Sequence, residues 1–183
     1  PASPALPATD VATATMLRVE HDAAKSIVEQ IRAVADGLST QHPDVRPARV
    51  LLGRLEGDVI PHERDDERLL VPLMERALGP DAGTAISRTH AEIEHQVSRL
   101  RRLLDELAAG PGTDPADDVQ PEDVVELRRL LYGLYAVLRL HNSQEEESAF
   151  SLVPEGAPAP EPPVTAPGQT PAASAPAAEG RAP

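Results

Sequence analysis

Apolar side chains recur every three or four residues along most of the chain, in four blocks set apart by Pro- and Gly-marked breaks. The first block runs from about Ala12 to Leu38, with Leu17, His21, Ala24, Val28, Ile31, Ala35 and Leu38 on one stripe. Asp36-Gly37 and His42-Pro43 end it. The second runs from about Pro47, a good first-turn residue, to Leu78. Its stripe is Leu52, Leu55, Val59, His62, Asp66, Leu69, Leu73 and Ala77. Pro61 and Pro72 fall inside this block, and a kink or break is expected near Pro61. The third, from about Ala82 to Ala109, aligns Ile86, His90, Ile93, Val97, Leu100, Leu104 and Leu107. A polar loop leads to Gln120. The fourth then runs from Pro121 to about Leu152, with Val124, Leu127, Leu131, Leu134, Leu138, His141, Glu145 and Ala149 in line. No stretch sustains the two-residue period of a strand. The pattern predicts an all-α fold, an up-down antiparallel four-helix bundle.

The ends differ from this middle. Residues 1–11 read as a flexible N-terminal segment. Residues 154–183 hold nine Pro and nine Ala in thirty positions, too little apolar bulk to offset chain entropy, and read as a disordered tail or linker. The folded domain is therefore expected over 12–153. Acidic residues outnumber Lys plus Arg by 30 to 17, a formal charge of −13. So acidic a surface repels phosphate backbones, and two Tyr, one Phe and no Trp offer no stacking platform, so nucleic acid is not an expected partner. Without Cys there is no thiolate metal site, iron–sulfur cluster or Cys nucleophile in the chain. No apolar run reaches bilayer length and no signal-peptide pattern opens the chain, so a cytoplasmic location without membrane insertion is expected.

Chemistry concentrates on the four stripes. Each carries one histidine: His21, His62, His90 and His141. Two of these have a carboxylate four residues later, Asp66 after His62 and Glu145 after His141. Four helical steps turn about 400°, so each pair projects from the same side. One histidine on an apolar stripe is ordinarily a hydrogen-bonded core residue. Four on four stripes, with two carboxylates that burial would make costly, point to a metal. Imidazole with carboxylate suits iron, manganese or zinc. His95 and Glu92 lie among charged neighbours and read as solvated.

The ordered set His21, His62-Glu63-Arg64-Asp65-Asp66, His90 and His141-Asn142-Ser143-Gln144-Glu145 resembles the hemerythrin-like, or HHE cation-binding, domain family over nearly all of 11–153. Pro72 and the preceding Leu69-Leu70-Val71 also match the family's habit. The resemblance implies a non-haem di-iron site, with His21, His62, Asp66, His90, His141 and Glu145 as ligands and the carboxylates as candidate bridges. Asp66 stands where the family more often has Glu; Glu63 or Glu67 are its substitutes. Oxygen carriers have a second histidine where this chain has Glu94, which argues against reversible oxygen carriage. Glu94 is instead a candidate oxygen ligand or a group orienting His90. Glu146 lies about 100° beyond Glu145 and would reach metal only through helix distortion.

Such a centre is expected to bind or sense oxygen, peroxide or nitric oxide. The alternatives are a peroxide-removing, catalase-like di-iron enzyme and a non-enzymatic metal-sensing or interaction domain tethered to a further protein domain through the Pro/Ala-rich segment. Oligomeric state, metal identity and the exogenous ligand are not encoded in these patterns.

Overall fold

A computed structural model of the chain describes residues 7–108 and 119–152, and among them every regular element is helical. The bundle reading holds: four long helices run up and down, and the fourth packs against both the first and the third. The first helix, Ala8–Gly37, starts four residues before the expected Ala12, so residues 8–11 are helical. The third helix is Thr84–Ala108. The fourth is Pro121–Ser148, followed by a 3₁₀ turn at Phe150–Leu152. Pro121 sits in its first turn, and Asp123 Oδ2 accepts from the Gln120 amide at 2.9 Å. The polar loop expected before Gln120 and the tail over 154–183 lie largely or wholly outside the described residues.

The second helix departs from expectation in an informative way. It runs unbroken over 46–78, with no break at Pro61. Two π turns, Leu55–Val59 and Asp66–Leu70, interrupt its α-helical stretches instead. The amide just before each proline bonds five residues back, Ile60 to the Leu55 carbonyl and Val71 to the Asp66 carbonyl. A widened turn relieves the clash between a proline ring and the carbonyl four residues earlier, so the helix absorbs both prolines without stopping.

Each π turn also delays the rotation of the residues after it. The buried face then reads Leu51, Leu55, Val59, His62, Glu63, Asp66, Leu70 and Met74, whereas the expected Leu52, Leu69 and Ala77 are only half-buried. At the helix end Gly79 adopts φ 113°, the left-handed region a side chain disfavours. Gly83 ends the connection to the third helix, so tightly packed that a Cβ there would lie 2.5 Å from Val71 Cγ1.

The core has two main apolar clusters with a polar layer between them, and a small third one of Ala14 with Leu73. The larger includes Ile27, Ile31, Val59, Ile93, Leu100, Leu131 and Leu138. The smaller joins Leu17, Leu70, Val71, Met74, Ile86, Ala149 and Phe150. Along the first helix the order is Leu17, His21, Ile27, and along the third Ile86, His90, Ile93. The fourth helix runs the other way, from Leu138 through His141 and Glu145 to Ala149. Antiparallel packing thus sets all four histidines at one height, with hydrocarbon above and below. Among the described residues no helix is long and apolar enough to cross a membrane.

Candidate metal centre

The structure brings His21, His62, Asp66, His90, His141 and Glu145 into one buried cluster, as the stripes require. Asp66, His141 and Glu145 are 0 % exposed, and the other three no more than 7 %. A seventh residue joins them. Glu63, noted in the sequence only as a substitute for Asp66, is buried, with Oε2 2.8 Å from His141 Nε2 and 3.4 Å from His90 Nε2.

The donor atoms form two groups. His21, His62 and Glu145 gather on one side, and Glu63, His90 and His141 on the other. A third grouping, Asp66 with His90 and Glu145, overlaps both. Glu145 divides its oxygens: Oε2 lies 3.1 Å from His21 Nδ1, while Oε1 lies 3.3 Å from His141 Nε2 and 3.7 Å from His90 Nε2. Asp66 Oδ2 is 3.3 Å from His62 Nε2.

These short separations are not ordinary hydrogen bonds. Twelve buried side-chain nitrogen and oxygen atoms lack a hydrogen-bond partner among the described residues, and all but Gln144 Oε1 belong to the seven cluster residues. Leaving such polar atoms dry and unpaired would cost on the order of 1–3 kcal/mol for each. Donor atoms that converge without facing one another are what a cation requires. Ligands about 2.1 Å from a metal and at right angles to one another lie about 3.0 Å apart, close to the separations here. Imidazole and carboxylate together fit iron, manganese or zinc.

Two carboxylates outside the cluster fix imidazole orientation. Glu67 Oε2 is 2.8 Å from His90 Nδ1, leaving His90 Nε2 directed inward, and Ser87 Oγ donates to Glu67 Oε1 at 2.9 Å. Glu146 Oε1 lies 3.4 Å from His21 Nε2, so His21 turns Nδ1 inward, and Lys25 holds Glu146. Such outer carboxylates set ring orientation and raise the basicity of the inner nitrogen. Glu94 does neither: Arg64 Nε donates to it at 2.7 Å near the surface, because Glu67 already occupies the outer side of His90. His95 is exposed, and Glu92 accepts from Gln96. Phe150 packs against His21 with ring centroids 5.0 Å apart and the ring planes tilted by 54°.

Burial divides the carboxyls electrically. Burial itself, with the Glu145 and Glu63 charges beside it, pushes Asp66 up to about 10. Burial would also raise Glu145, but the imidazoles of His21, His90 and His141 around it hold it below the usual carboxylate range. Burial lowers His62. Burial opposes the charged form of His90 too, but Glu145, Glu63 and Glu67 outweigh it and raise that group. A cavity of about 740 Å³ at the far end, lined by Val34, Leu38 and Leu51 among others, touches none of the cluster.

The family model of the hemerythrin HHE cation-binding domain matches residues 12–153. The iron-sulfur cluster repair protein DnrN of Neisseria gonorrhoeae is 26% identical over 102 residues, which cover 53% of this chain and 65% of that protein. The match thus spans just under two thirds of that relative's length. No solved structure matches the chain significantly.

Proposed function

The chain belongs to the hemerythrin HHE cation-binding domain family, and from that premise we propose that it holds a pair of non-haem irons and binds a small oxidant or nitric oxide there. The observation that carries this reading is the set of unpartnered buried donor atoms in two groups that share Glu145. His21 and His62 would hold one ion and Glu63, His90 and His141 the other, with Glu145 and Asp66 available as further ligands. Bound iron would supply a change of oxidation state and open positions for oxygen, peroxide or nitric oxide.

The protein's own part is positional. The two apolar clusters exclude bulk water, Glu67 and Glu146 hold two imidazoles in register, and Asp66 keeps its proton until a cation displaces it. Such a domain responds to a small ligand in the cytoplasm, alone or tethered to a partner domain.

A second reading draws on the Neisseria relative, described as an iron-sulfur cluster repair protein. The present chain has no Cys and offers no thiolate to a cluster. A repair role would therefore consist of giving up iron to a cluster held elsewhere.

Reconstitution with ferrous iron without oxygen, then elemental analysis, tests the main reading. Two irons per chain are expected, with new near-ultraviolet absorption on exposure to air or nitric oxide. A folded bundle that retains no iron would refute it. Full iron content in the double variant His62→Ala/His141→Ala would refute the ligand assignment. Transfer of iron to a cysteine-bearing apo-acceptor distinguishes the repair reading.

A further inference from the structure

A cavity of about 390 Å³ opens between the first and second helices and reaches the cluster at His62. Its wall carries Glu20 from the first helix and Arg54, Asp58 and Asp65 from the second. Ala23 and Ala24 also line it, and side chains this small leave the gap open. His62 lines the floor, only 7 % exposed, with neither ring nitrogen hydrogen-bonded.

The acids differ in how far they are already engaged. Asp65 accepts from Arg68 at 2.8 Å, and Asp58 lies 3.6 Å from Arg54. Among the described residues no basic group pairs with Glu20, whose charge acts on both His62 and Asp66. A narrower opening of about 250 Å³ reaches the other side of the cluster at His90 and Glu63. There the outer acids are engaged, Glu67 by His90 and Ser87 and Glu94 by Arg64.

We propose that the opening at His62 is the route by which divalent cations reach the buried cluster, with Glu20 drawing the ion in and His62 first to bind it. The proposal rests on the metal-centre reading. It follows from two requirements. A cation bound for a dry interior must shed water gradually, which an oxygen-lined vestibule permits. It must then meet a free donor at the inner end, and His62 is one. A cleft of net negative lining, here three acids against Arg54 with Glu20 free of any basic partner among the described residues, raises the local concentration of cations and speeds their capture. The opening at His90 also carries three acids against one arginine, but its outer acids Glu67 and Glu94 are engaged and Glu67 holds His90 Nδ1, so it offers neither a free outer acid nor a wholly free imidazole.

The test is the rate of cobaltous ion loading, read from its visible absorption, in the full chain after removal of metal. Glu20→Lys should slow loading about tenfold or more at low ionic strength. Half-molar salt should narrow that gap, because screening removes the steering. Glu106→Lys, the same charge change at the far end of the third helix, should stay within about twofold of wild type. Ala23→Leu should slow loading at every salt concentration by filling the gap. All variants should reach the wild-type cobalt content at equilibrium. Wild-type loading rates in both Glu20→Lys and Ala23→Leu at low salt would overturn the route while leaving the metal centre intact. A wild-type protein that takes up no cobalt would overturn the metal centre itself.

Discussion

Asp66→Asn should stabilise the metal-free protein and weaken the metal-loaded one. Asp66 is fully buried, and its carboxyl is pushed up to about 10 from 3.8. With the folded value above the unfolded one, the stability that Asp66 confers is complete below pH 3.8 and is lost as pH rises toward about 10. At pH 7 folding must therefore place a proton on it. That costs about 1.36 kcal/mol for each pH unit above 3.8, or roughly 4 kcal/mol. Asn has the same shape and is neutral at every pH, so the variant avoids the cost. The full figure is a ceiling, since Glu145 shifts the opposite way beside it; about 2–4 kcal/mol is the expected gain at pH 7. At pH 4.5 it should shrink to about 1 kcal/mol or less.

Urea unfolding followed by helical circular dichroism, after chelation and at both pH values, reads these differences as shifts of midpoint. Ferrous iron added anaerobically should reverse the order, because wild-type Asp66 can give up its proton and bind while the amide cannot. A metal-free Asp66→Asn variant no more stable than wild type at pH 7, or equally favoured at pH 4.5, would refute the account of the buried acid.

Other perturbations separate the parts of the site. Glu63→Ala removes the carboxylate held between His90 and His141 and should reduce iron content from two to about one per chain, measured by elemental analysis. Glu67→Gln leaves every donor atom of the cluster in place but loosens His90; iron affinity should fall about 10–100-fold in a chelator competition, with the circular dichroism spectrum unchanged. Gly83→Ala, far from any donor, should cost about 1–3 kcal/mol in thermal unfolding, because its methyl would overlap Val71. Metal uptake by the wild-type protein should release protons, at least one of them from Asp66, and apparent affinity should rise with pH between 5 and 8.

The sequence by itself determined the helical class, the four apolar stripes and the presence of one histidine on each. Those follow from a local property, the 3.6-residue turn, which places His62 with Asp66 and His141 with Glu145 wherever the helices end up. It also marked Pro61 and Pro72 as points of stress in the second helix. The response to that stress belonged to the tertiary structure. Widened turns shift the buried face from Leu69 and Ala77 to Leu70 and Met74 and turn His62 and Glu63 inward together. A reading at constant period could not give Glu63 its place. The partners across helices were likewise beyond it. Glu67 rather than Glu94 holds His90, and Glu146 faces His21, because such contacts depend on how neighbouring helices are rotated and spaced. One chain's local geometry decides which side chains share a stripe, but only packed helices decide which atoms lie within 3 or 4 Å of one another. The candidate cation site is defined by those distances.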